Sequence, residues 1–435
     1  MAARVDRGVA TTWPGERPLS ADLLRQMIAQ HAPVLRFHPE EPYFPSSVEW
    51  YLARCLLIDG TSGAVLARHP AAGDLPKGPA APDQLQRYWL TLDPTVAGPA
   101  LEPDLAPPDD PRRGNLADAP AYVRALHDAK QGHTDLQFWM FYPYDGPGLA
   151  RLRPRFLGAL RTDRTLSLWP AGMHEGDWEL AVIRIDHATL QPSAAFLSQH
   201  RSGDQHLGAA AVAALDREPD GRIRLHASLY GHATYAHREE RKLVYFKRSL
   251  ALVGIELGLI DRAEPGAGWD LAVNHRVIST SWHDPQFPEP AWLDFAWRWG
   301  AYDPQGGRFR RKLVEALGDL LESHLSPPVL VLHVLTLGLT AVLLALAPRL
   351  LGGPLGAKLL GHTADNSGPF GPSCHDDKWS GNYGFTGPPP DTDWLGAGST
   401  LAQRIGGALN AVCHPPVRLL GRTLRLLVAP LLPKD

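Results

Sequence analysis

The sequence contains little cysteine and lacks the common nucleotide-binding and hydrolytic motifs. Three cysteines, Cys55, Cys374 and Cys413, are spread over 435 residues. Because no C-x-x-C pair occurs, a thiolate zinc site and a thioredoxin-like motif are excluded. The sequence has no P-loop, no G-x-G-x-x-G and no G-x-S-x-G, so the sites that these motifs build are excluded as well.

A strong excess of one charge is also missing. The formal net charge is −3 and no basic run stands out, so we expect no nucleic-acid partner. The first twenty residues include arginines but no apolar stretch, and we therefore expect no Sec-type signal peptide. The expected location is the cytoplasm, or a membrane to which residues 327–347 hold the chain.

Short apolar runs, separated by Pro, Gly and Asp, follow a polar tail and a short predicted helix, Ala21–His31, which Ser20 caps. Their alternation predicts a mainly β fold, a β-sandwich with flanking helices, rather than βαβ units. Two helices are predicted within this region, Ala119–Lys130 and Ala291–Trp299. The predicted strands are Val34–Phe37, Tyr88–Leu92, Leu136–Tyr142, Trp178–Ile185, Ala194–Leu197, Arg222–Tyr230 and Leu243–Phe246.

The chain changes character after Gly300. Residues 327–347 are apolar except for His333 and two threonines, and ~20 apolar residues suffice to span a bilayer. A buried helix or a hydrophobic hairpin is the alternative. The predicted organisation is a tail with a short helix (1–30), a β-sandwich domain with flanking helices (31–325), a hydrophobic segment (326–361), a Gly/Pro-rich loop that packs back on the domain (362–395) and an amphipathic C-terminal helix (396–435).

The stretch Gly172–Glu179, GMHEGDWE, holds a dense group of metal-binding residue types. On a strand, Asp177 and Glu179 lie two apart and share a face, and a bend at Gly176 can fold His174 back over them. Two close carboxylates repel each other unless a cation lies between them, and oxygen ligands favour Mg²⁺, Ca²⁺ or Mn²⁺. The alternative is a strand start with solvated acids and a hydrogen-bonded histidine.

Three further residues are candidates for the same site. Asp145 ends an aromatic strand in an Asp-Gly pair and could complete the ligand set from the adjacent strand, although a turn is the ordinary role of that pair. His200 and His232 follow strand-like runs and are candidate general bases, with a hydrogen-bonded core histidine as the alternative for each. The pattern is not H-E-x-x-H, because Trp178 occupies the second histidine position, so a zincin is excluded.

The segment Ala32–Trp50, APVLRFHPEEPYFPSSVEW, resembles the opening signature of the vacuolar protein sorting-associated protein 62 family. The resemblance covers roughly residues 32–381, because further motifs of that family follow in order. The family's name implies a role in trafficking but no mechanism. The later motifs are Phe138–Gly148, Gly176–Glu179, Phe196–His200, Gly231–Tyr235, Pro290–Gly300, Gly368–Pro372 and Trp379.

A more distant resemblance connects Phe141–Asp145 and Gly172–Glu179 with the necrosis- and ethylene-inducing cytolysin family, whose hallmark is G-H-R-H-D-W-E. That resemblance implies a β-sandwich flanked by helices, and a divalent-metal site that attacks membranes through sphingolipid headgroups. It also places His232 near a cavity-lining histidine. This chain departs from the family in the basic residues of the hallmark, in its greater length and in the missing secretion signal. The metal ligands that the resemblance implies are Asp145, His174, Asp177 and Glu179.

The sequence supports three hypotheses about function. In the first, the protein is a non-enzymatic β-sandwich whose divalent metal binds a membrane lipid or glycan headgroup. In the second, it is a metal-dependent hydrolase of a phosphodiester or glycoside, with His200 or His232 as general base. In the third, it is a trafficking or scaffold module whose acidic cluster is structural.

Overall fold

The structure is a computed structural model that describes most of the region up to residue 302 and a short later segment. The described residues are 19–78, 84–100, 106–156, 160–161, 164–167, 172–199, 202–250, 253–302, 367–374 and 376–383.

The described chain is mainly β, as the sequence predicts. Its strands are β1 (Val34–Arg36), β2 (Cys55–Asp59), β3 (Val65–Arg68), β4 (Tyr88–Leu92), β5 (Ala121–Asp128), β6 (His133–Asp145), β7 (Leu149–Phe156), β8 (Leu160–Arg161), β9 (Arg164–Ser167), β10 (His174–Asp186), β11 (Pro192–Gln199), β12 (Ser202–Leu207), β13 (Arg224–Ala227), β14 (Thr234–Tyr235), β15 (Glu239–Leu250), β16 (Val253–Ala263), β17 (Gly268–Asp270) and β18 (His275–Thr280). Its α-helices are α1 (Ala21–His31), α2 (Val48–Leu52), α3 (Pro94–Ala97), α4 (Ala209–Ala213) and α5 (Asp376–Trp379).

A six-stranded sheet, in the order β12-β11-β10-β6-β5-β18, forms the centre of the domain. One face packs on α1 and on a four-stranded sheet, β14-β13-β1-β17, through an aliphatic core. The other face packs on α2 and on a three-stranded sheet, β3-β2-β4, through a core rich in tryptophan and phenylalanine. The predicted sandwich is therefore confirmed, and its central sheet is covered on both sides.

Strand β10 shows why the central strands are rich in apolar residues. Ala181 and Ile183 belong to the aliphatic core, whereas Leu180 and Val182 belong to the aromatic core. Successive side chains of a strand point to opposite faces, so a strand buried on both faces needs apolar residues at every position. The pairing of β10 with β6 is antiparallel from His174 to Asp186.

Helix α1 forms where the sequence predicts it. The hydroxyl of Ser20 accepts a hydrogen bond from Leu23 N at 3.3 Å, which caps the first turn. Leu24 and Ile28, one turn apart, are fully buried against the aliphatic core. The apolar spacing therefore sets the buried side of this helix.

Two helix predictions are wrong. The region predicted as helix Ala119–Lys130 forms strand β5, and the helix predicted at Ala291–Trp299 is reduced to a 3₁₀ turn, Ala291–Asp294. Alanines at 121 and 125 favoured a helix, but β5 pairs with both β6 and β18 in the sheet. Backbone pairing and burial on both faces outweigh the helix propensity of these alanines, since propensity contributes less than about 1 kcal/mol per residue.

Residues 367–383 return to the domain and cover the aromatic core. Tyr383 stacks on Phe196 with ring centroids 5.3 Å apart, and Gln137 Nε2 donates to the Tyr383 hydroxyl at 2.6 Å. Arg298 donates to Gly368 O at 2.6 Å. The predicted segments 326–361 and 396–435 lie outside the described residues. Within the described part, no helix has the length and apolar character that a membrane span requires.

Candidate functional site

The central pair of strands, β6 and β10, brings the predicted site together at one end of the sheet. In their antiparallel register His174 lies opposite Asp145, and Asp177 lies opposite Tyr142. Residues directly opposite each other in such a pair have neighbouring side chains on one face. The exit of β6 and the entry of β10 therefore place Asp145 beside the GMHEGDWE stretch.

Gly176 changes which side chains of β10 share a face. Its φ is +63°, and a Cβ built there would lie 2.2 Å from Trp299 O, so only glycine fits. After this kink His174 lies on the side of Asp145, with its Nε2 3.3 Å from Asp145 Oδ2. Glu175 points to the other side and accepts hydrogen bonds from Thr91 Oγ1 and from the backbone N of residue 92. The kink thus removes Glu175 from the site and keeps His174 in it.

The ring of His174 is oriented by the same kink. Its Nδ1 lies 2.9 Å from Gly176 O. A carbonyl oxygen can only accept, so Nδ1 carries a proton and Nε2 is the atom that faces Asp145. This is the orientation in which a histidine offers Nε2 to a metal ion.

His232 enters the site from a strained turn between β13 and β14. Its φ is +52° and that of Tyr230 is +67°, both uncommon for residues other than glycine. Ala233 N donates to Gly231 O at 2.7 Å and closes a tight turn around His232. Such strain persists only where the surroundings hold it, and it is frequent at functional sites.

Three carboxylates surround the His232 ring, which is completely buried. Its Nδ1 donates to Asp177 Oδ2 at 3.0 Å and lies 4.0 Å from Asp145 Oδ1. Its Nε2 lies 3.7 Å from Glu41 Oε1. That distance exceeds a hydrogen bond, so Glu41 acts on the ring as a nearby negative charge. The imidazole is thus the positive group at the centre of three acids.

The neighbouring carboxylates determine the protonation state of His232. Burial alone would lower its pKa, but the hydrogen bond to Asp177 and the charge of Glu41 outweigh burial and raise the pKa to about 10. The ring also stacks on Tyr142, with centroids 3.8 Å apart and planes 8° from parallel, a favourable position for a cation on an aromatic face. Without a metal, therefore, a proton on His232 supplies a positive charge that offsets part of the negative charge of the cluster.

Glu41 is the member of the site that the sequence analysis missed. Its Oε1 accepts from Tyr43 N at 2.9 Å and its Oε2 from Tyr230 N at 2.6 Å. It therefore joins the N-terminal segment to the turn that carries His232. The signal in the sequence was the doubled acid Glu40-Glu41 between prolines, which is unusual in a segment that is otherwise apolar and aromatic.

The structure separates the candidate site residues into an inner and an outer group, and the inner group includes His232, which was predicted as a general base rather than as a metal ligand. Ligand atoms of Asp145, Asp177 and His232 all lie within 4.8 Å of one another. His174 contacts Asp145 from the edge of this group. Glu179 lies one step further along β10 and accepts a hydrogen bond from Ser198 Oγ. His200 lies outside the described residues.

The inner group has the dimensions of a cation site. Oxygen ligands bind Ca²⁺ at about 2.3 to 2.6 Å, so two ligands of one ion are at most about 5 Å apart. Two buried polar atoms at the cluster, Tyr142 Oη and His232 Nε2, have no hydrogen-bond partner among the described residues. Burial and the neighbouring acids Asp177, Glu179 and Glu41 raise the pKa of Tyr142 well above its usual value. Carboxylates and an imidazole suit a divalent ion, so the residues fit the predicted metal.

A surface depression of the described part lies elsewhere. It has a volume of about 380 Å³, and its charged side chains include Arg36, Glu218, Arg222 and Asp270. These groups pair with each other: Arg36 binds Glu218 through two nitrogens, and Arg222 binds Asp270 in the same way. These side chains form hydrogen bonds within the protein, so the candidate site remains the cluster around Asp145, Asp177 and His232.

Solved structures that match the chain include proteins of the cytolysin class that the distant resemblance named. One is Necrosis and Ethylene inducing Protein 2 from the causal agent of cocoa's Witches Broom disease, 16% identical over 48% of this chain and 67% of that chain, with a TM-score of 0.23. Another is NLPPya in complex with mannosamine, 13% identical over 67% of this chain and 86% of that chain, with a TM-score of 0.26. The function proposed below rests on this chain's own residues.

The comparison of sequences identifies the family. No curated protein matches the chain. The family model described as vacuolar protein sorting-associated protein 62 matches residues 18–325. Because that match spans well over half of the 435 residues, the chain belongs to the vacuolar protein sorting-associated protein 62 family.

Proposed function

We propose that the chain binds a divalent cation, Ca²⁺, Mg²⁺ or Mn²⁺, at Asp145, Asp177 and His232, and uses it to hold a lipid or glycan headgroup at a membrane. The observation that carries this proposal is the inner group itself. Three separate elements bring two carboxylates and an imidazole within 4.8 Å, at a strained turn. His174 lies beside Asp145 and is the nearest further ligand.

The ligand chemistry follows from the geometry. The carboxylates of Asp145 and Asp177 are the charged ligands, and His232 joins them after it loses the proton on Nδ1. Glu41 stays on the far side of the His232 ring and holds it in place. When bound, the cation offers open coordination positions to hydroxyl or phosphate oxygens. The residues of the chain fix where such a headgroup would lie.

The hydrolase hypothesis needs a general base that reaches bound water or substrate. His232 has no exposed surface and lies between Glu41 and Asp177. Those contacts suit a positioned ligand better than a group that exchanges protons with a substrate. We therefore infer binding rather than turnover.

Calorimetric titration of the EDTA-treated full chain with each of the three cations tests the metal site. We expect one site per chain for at least one cation, and its loss in Asp177→Asn and Asp145→Asn. Asp186→Asn is the matched control, because Asp186 lies on the same strand at the other end of the sheet. Wild type that binds no cation would refute the site and favour a structural acidic cluster.

Headgroup binding needs its own titration. The cation-loaded chain should bind glucosamine, a sugar that accompanies a similar solved structure, or inorganic phosphate, and EDTA should abolish that binding. A response to the sugar alone would indicate a glycan, and a response to phosphate alone would indicate a phospholipid headgroup. Cation binding with no response to either probe would refute the headgroup part of the proposal.

A further inference from the structure

Three histidines meet at the end of the central sheet that lies opposite the candidate site. His127 lies near the end of β5, His187 directly follows β10, and His31 is the last residue of α1. We call these three histidines, together with Thr134 of β6, the histidine latch. Strand β10 begins at His174 in the candidate site and runs for 13 residues before it reaches the latch. The two sets of residues are therefore separate.

A single hydroxyl group joins two of the rings. Thr134 Oγ1 lies 3.2 Å from His127 Nδ1 and 2.9 Å from His187 Nε2. The two rings stack, with centroids 4.9 Å apart and planes 25° from parallel. Because a hydroxyl carries one hydrogen, it donates to one ring nitrogen and accepts from the other. This arrangement suits two neutral imidazoles, whereas two imidazolium rings at the same separation would repel each other.

The stacked pair is shielded from water. Thr134 is fully buried and His187 is only 4% exposed. Trp282 packs edge-on against His127, with ring centroids 6.1 Å apart. Burial and the charge that His127 would carry lower the pKa of His187 to about 4, and burial also lowers the pKa of His127. Both rings are therefore neutral in the closed structure at neutral pH.

Two acids face the stacked rings, but both also form hydrogen bonds within their own turns. Asp128 accepts from Gln131 N at 2.9 Å, and Asp186 accepts from the backbone and hydroxyl of Thr189 at 2.9 and 2.8 Å. The acids favour the charged form of the rings, but burial has the larger effect on both pKa values. The other charged groups of the elements packed here are His133, which faces both rings, Arg184, which pairs with Asp135, and Asp284, which accepts from Trp282 Nε1 at 3.4 Å.

The turn between β10 and β11 connects the third histidine to this pair. The ring of His31 forms a hydrogen bond with the backbone of Leu190, and its Nε2 is buried with no hydrogen-bond partner among the described residues. Burial lowers the pKa of His31 to about 4, since a proton added to Nε2 would lack an acceptor there. Leu190 is itself buried, at φ +53°, and His187 N donates to Gly132 O at 2.9 Å. One turn thus contacts both α1 and the β5–β6 turn.

From these contacts we propose that the histidine latch is an acid-responsive switch, which holds α1 and the two turns together while its rings are neutral and opens when they take up protons. In the closed state the pKa values of all three rings lie below the ordinary histidine value of 6.5. The stability that closure contributes is therefore complete above pH 6.5 and is lost as the pH falls from 6.5 toward 4. Opening frees the last turn of α1, where Met27 and Ile28 are buried, and so exposes apolar surface.

The switch is independent of the proposed cation site. None of its residues is a candidate ligand, and its opening requires protons alone, so it should occur in EDTA. The pKa of His232 is raised rather than lowered, so the contribution of that ring to stability is retained over the same acid range. The switch therefore stands or fails regardless of whether the chain binds a cation.

Hydrogen exchange of the full chain in EDTA, measured by mass spectrometry at about pH 7 and about pH 5, tests the switch. The rates are corrected for the pH dependence of intrinsic amide exchange. In the wild type, the change from neutral to acid pH should accelerate exchange in residues 27–32, 127–134 and 187–191. We expect this acceleration to be at least about tenfold greater than in residues 178–183, in the middle of β10, because opening is linked to proton uptake.

Glutamine variants test whether the histidines cause the opening. Glutamine can form a hydrogen bond with Thr134 but does not titrate, so His127→Gln combined with His187→Gln should remove most of the acid effect. His237→Gln is the matched control, because it removes a histidine whose side chain is 51% exposed outside the latch, and the acid effect should persist. His31→Gln covers the case in which the double variant does not fold, and it should reduce the acid effect at residues 27–32.

Four outcomes would overturn the inference. Equal acceleration in the latch and in the middle of β10 would indicate that acid loosens the whole domain. Wild type without any acceleration at acid pH would show that the latch stays closed. An acid effect of full size in the double variant, or in His31→Gln, would show that these rings do not control the opening. Loss of the effect in His237→Gln would assign it to a histidine outside the latch.

Discussion

Two groups of buried or half-buried acids in this protein are neutralised in different ways. In the arginine cluster, Glu218 accepts hydrogen bonds from Arg36 and Arg224 at 2.7 to 2.9 Å. In the site cluster, Asp177 accepts from the imidazole of His232. A guanidinium group keeps its charge at every accessible pH, whereas an imidazole can give up its proton. The first cluster is therefore a permanent structural pairing, and the second can exchange its proton for a metal ion.

The difference extends to the backbone. Strands of the four-stranded sheet, with ordinary extended conformations, present Arg36 and Arg224. The site cluster instead depends on Gly176 and on a turn with two residues other than glycine at positive φ. Strained positions are retained where their geometry is needed. The comparison predicts that the two clusters respond differently to substitution, to cations and to pH.

The largest expected effect comes from Gly176→Ala. A Cβ at this position meets Trp299 O at 2.2 Å and the left-handed backbone adds strain, so we expect a loss of about 3 kcal/mol in the free energy of unfolding. Cation binding should be lost although every ligand remains. Gly132→Ala is the control, because Gly132 has φ +67° with no atom within 4 Å of a Cβ. Urea unfolding of both variants measures the difference, and equal losses would show that the contact with Trp299 is unimportant.

The next largest loss of stability is expected for a substitution in the arginine cluster. Glu218→Gln leaves two guanidinium groups facing a neutral side chain, which we expect to cost about 2 kcal/mol. The loss should be the same with EDTA and with saturating cation. Asp220→Asn, at the more exposed partner of Arg222, should cost less than about 1 kcal/mol. A cation-dependent loss in Glu218→Gln would remove the distinction between the two clusters.

For Asp177→Asn we expect a loss of stability of comparable size, but only when the cation is present. A ligand at 100 times its dissociation constant stabilises the folded state by about 2.7 kcal/mol. Thermal melts of wild type should show this gain for the binding cation, and Asp177→Asn should show none. A variant that is stabilised as much as wild type would exclude Asp177 as a ligand.

The smallest effect is a pH dependence of opposite sign in the two clusters, measured in EDTA. The pKa of His232 is raised from 6.5 to about 10, so its contribution is complete below pH 6.5 and is lost as the pH rises through 10. The stability of the wild type should therefore fall as the pH rises from 6.5 toward 10. Hydrogen bonds from Arg36 lower the pKa of Glu218, so its contribution is present above the ordinary glutamate pKa and is lost in acid.

Urea midpoints from pH 6.5 to 9.5 measure the alkaline limb. His232→Gln should flatten it, whereas Glu218→Gln should leave it unchanged. A wild-type profile with no loss of stability between these limits would show that His232 is not held in its charged form.

Much of the sheet was predictable from the sequence, because a strand that is buried on both faces is a continuous run of apolar residues. The apolar runs at Tyr88–Leu92 and Trp178–Ile185 are strands in the structure. Strand β5 was misread because its alanines carry the same pattern in a helix and in a strand, and only pairing with β6 and β18 decides between them. The length of β15 was underestimated, since basic residues alternate with apolar ones along it.

Some residues of the candidate site could likewise be grouped from the sequence, whereas others are brought together only by the fold. Asp177 and His174 are close in sequence, so their proximity follows from a short strand and one glycine. Glu41 and His232 are 191 positions apart, and nothing in their local sequence joins them. They meet because Glu41 accepts from the backbone of Tyr230 in the turn that carries His232.

The sequence by itself determined the β-rich class, the cap and buried side of α1, and the residue types of the acidic stretch, because each depends on neighbours a few positions away. Only the tertiary structure decided which acids surround His232 and why Gly176 must be glycine. Those features depend on strand register and on close approach between distant segments, which local sequence patterns do not specify.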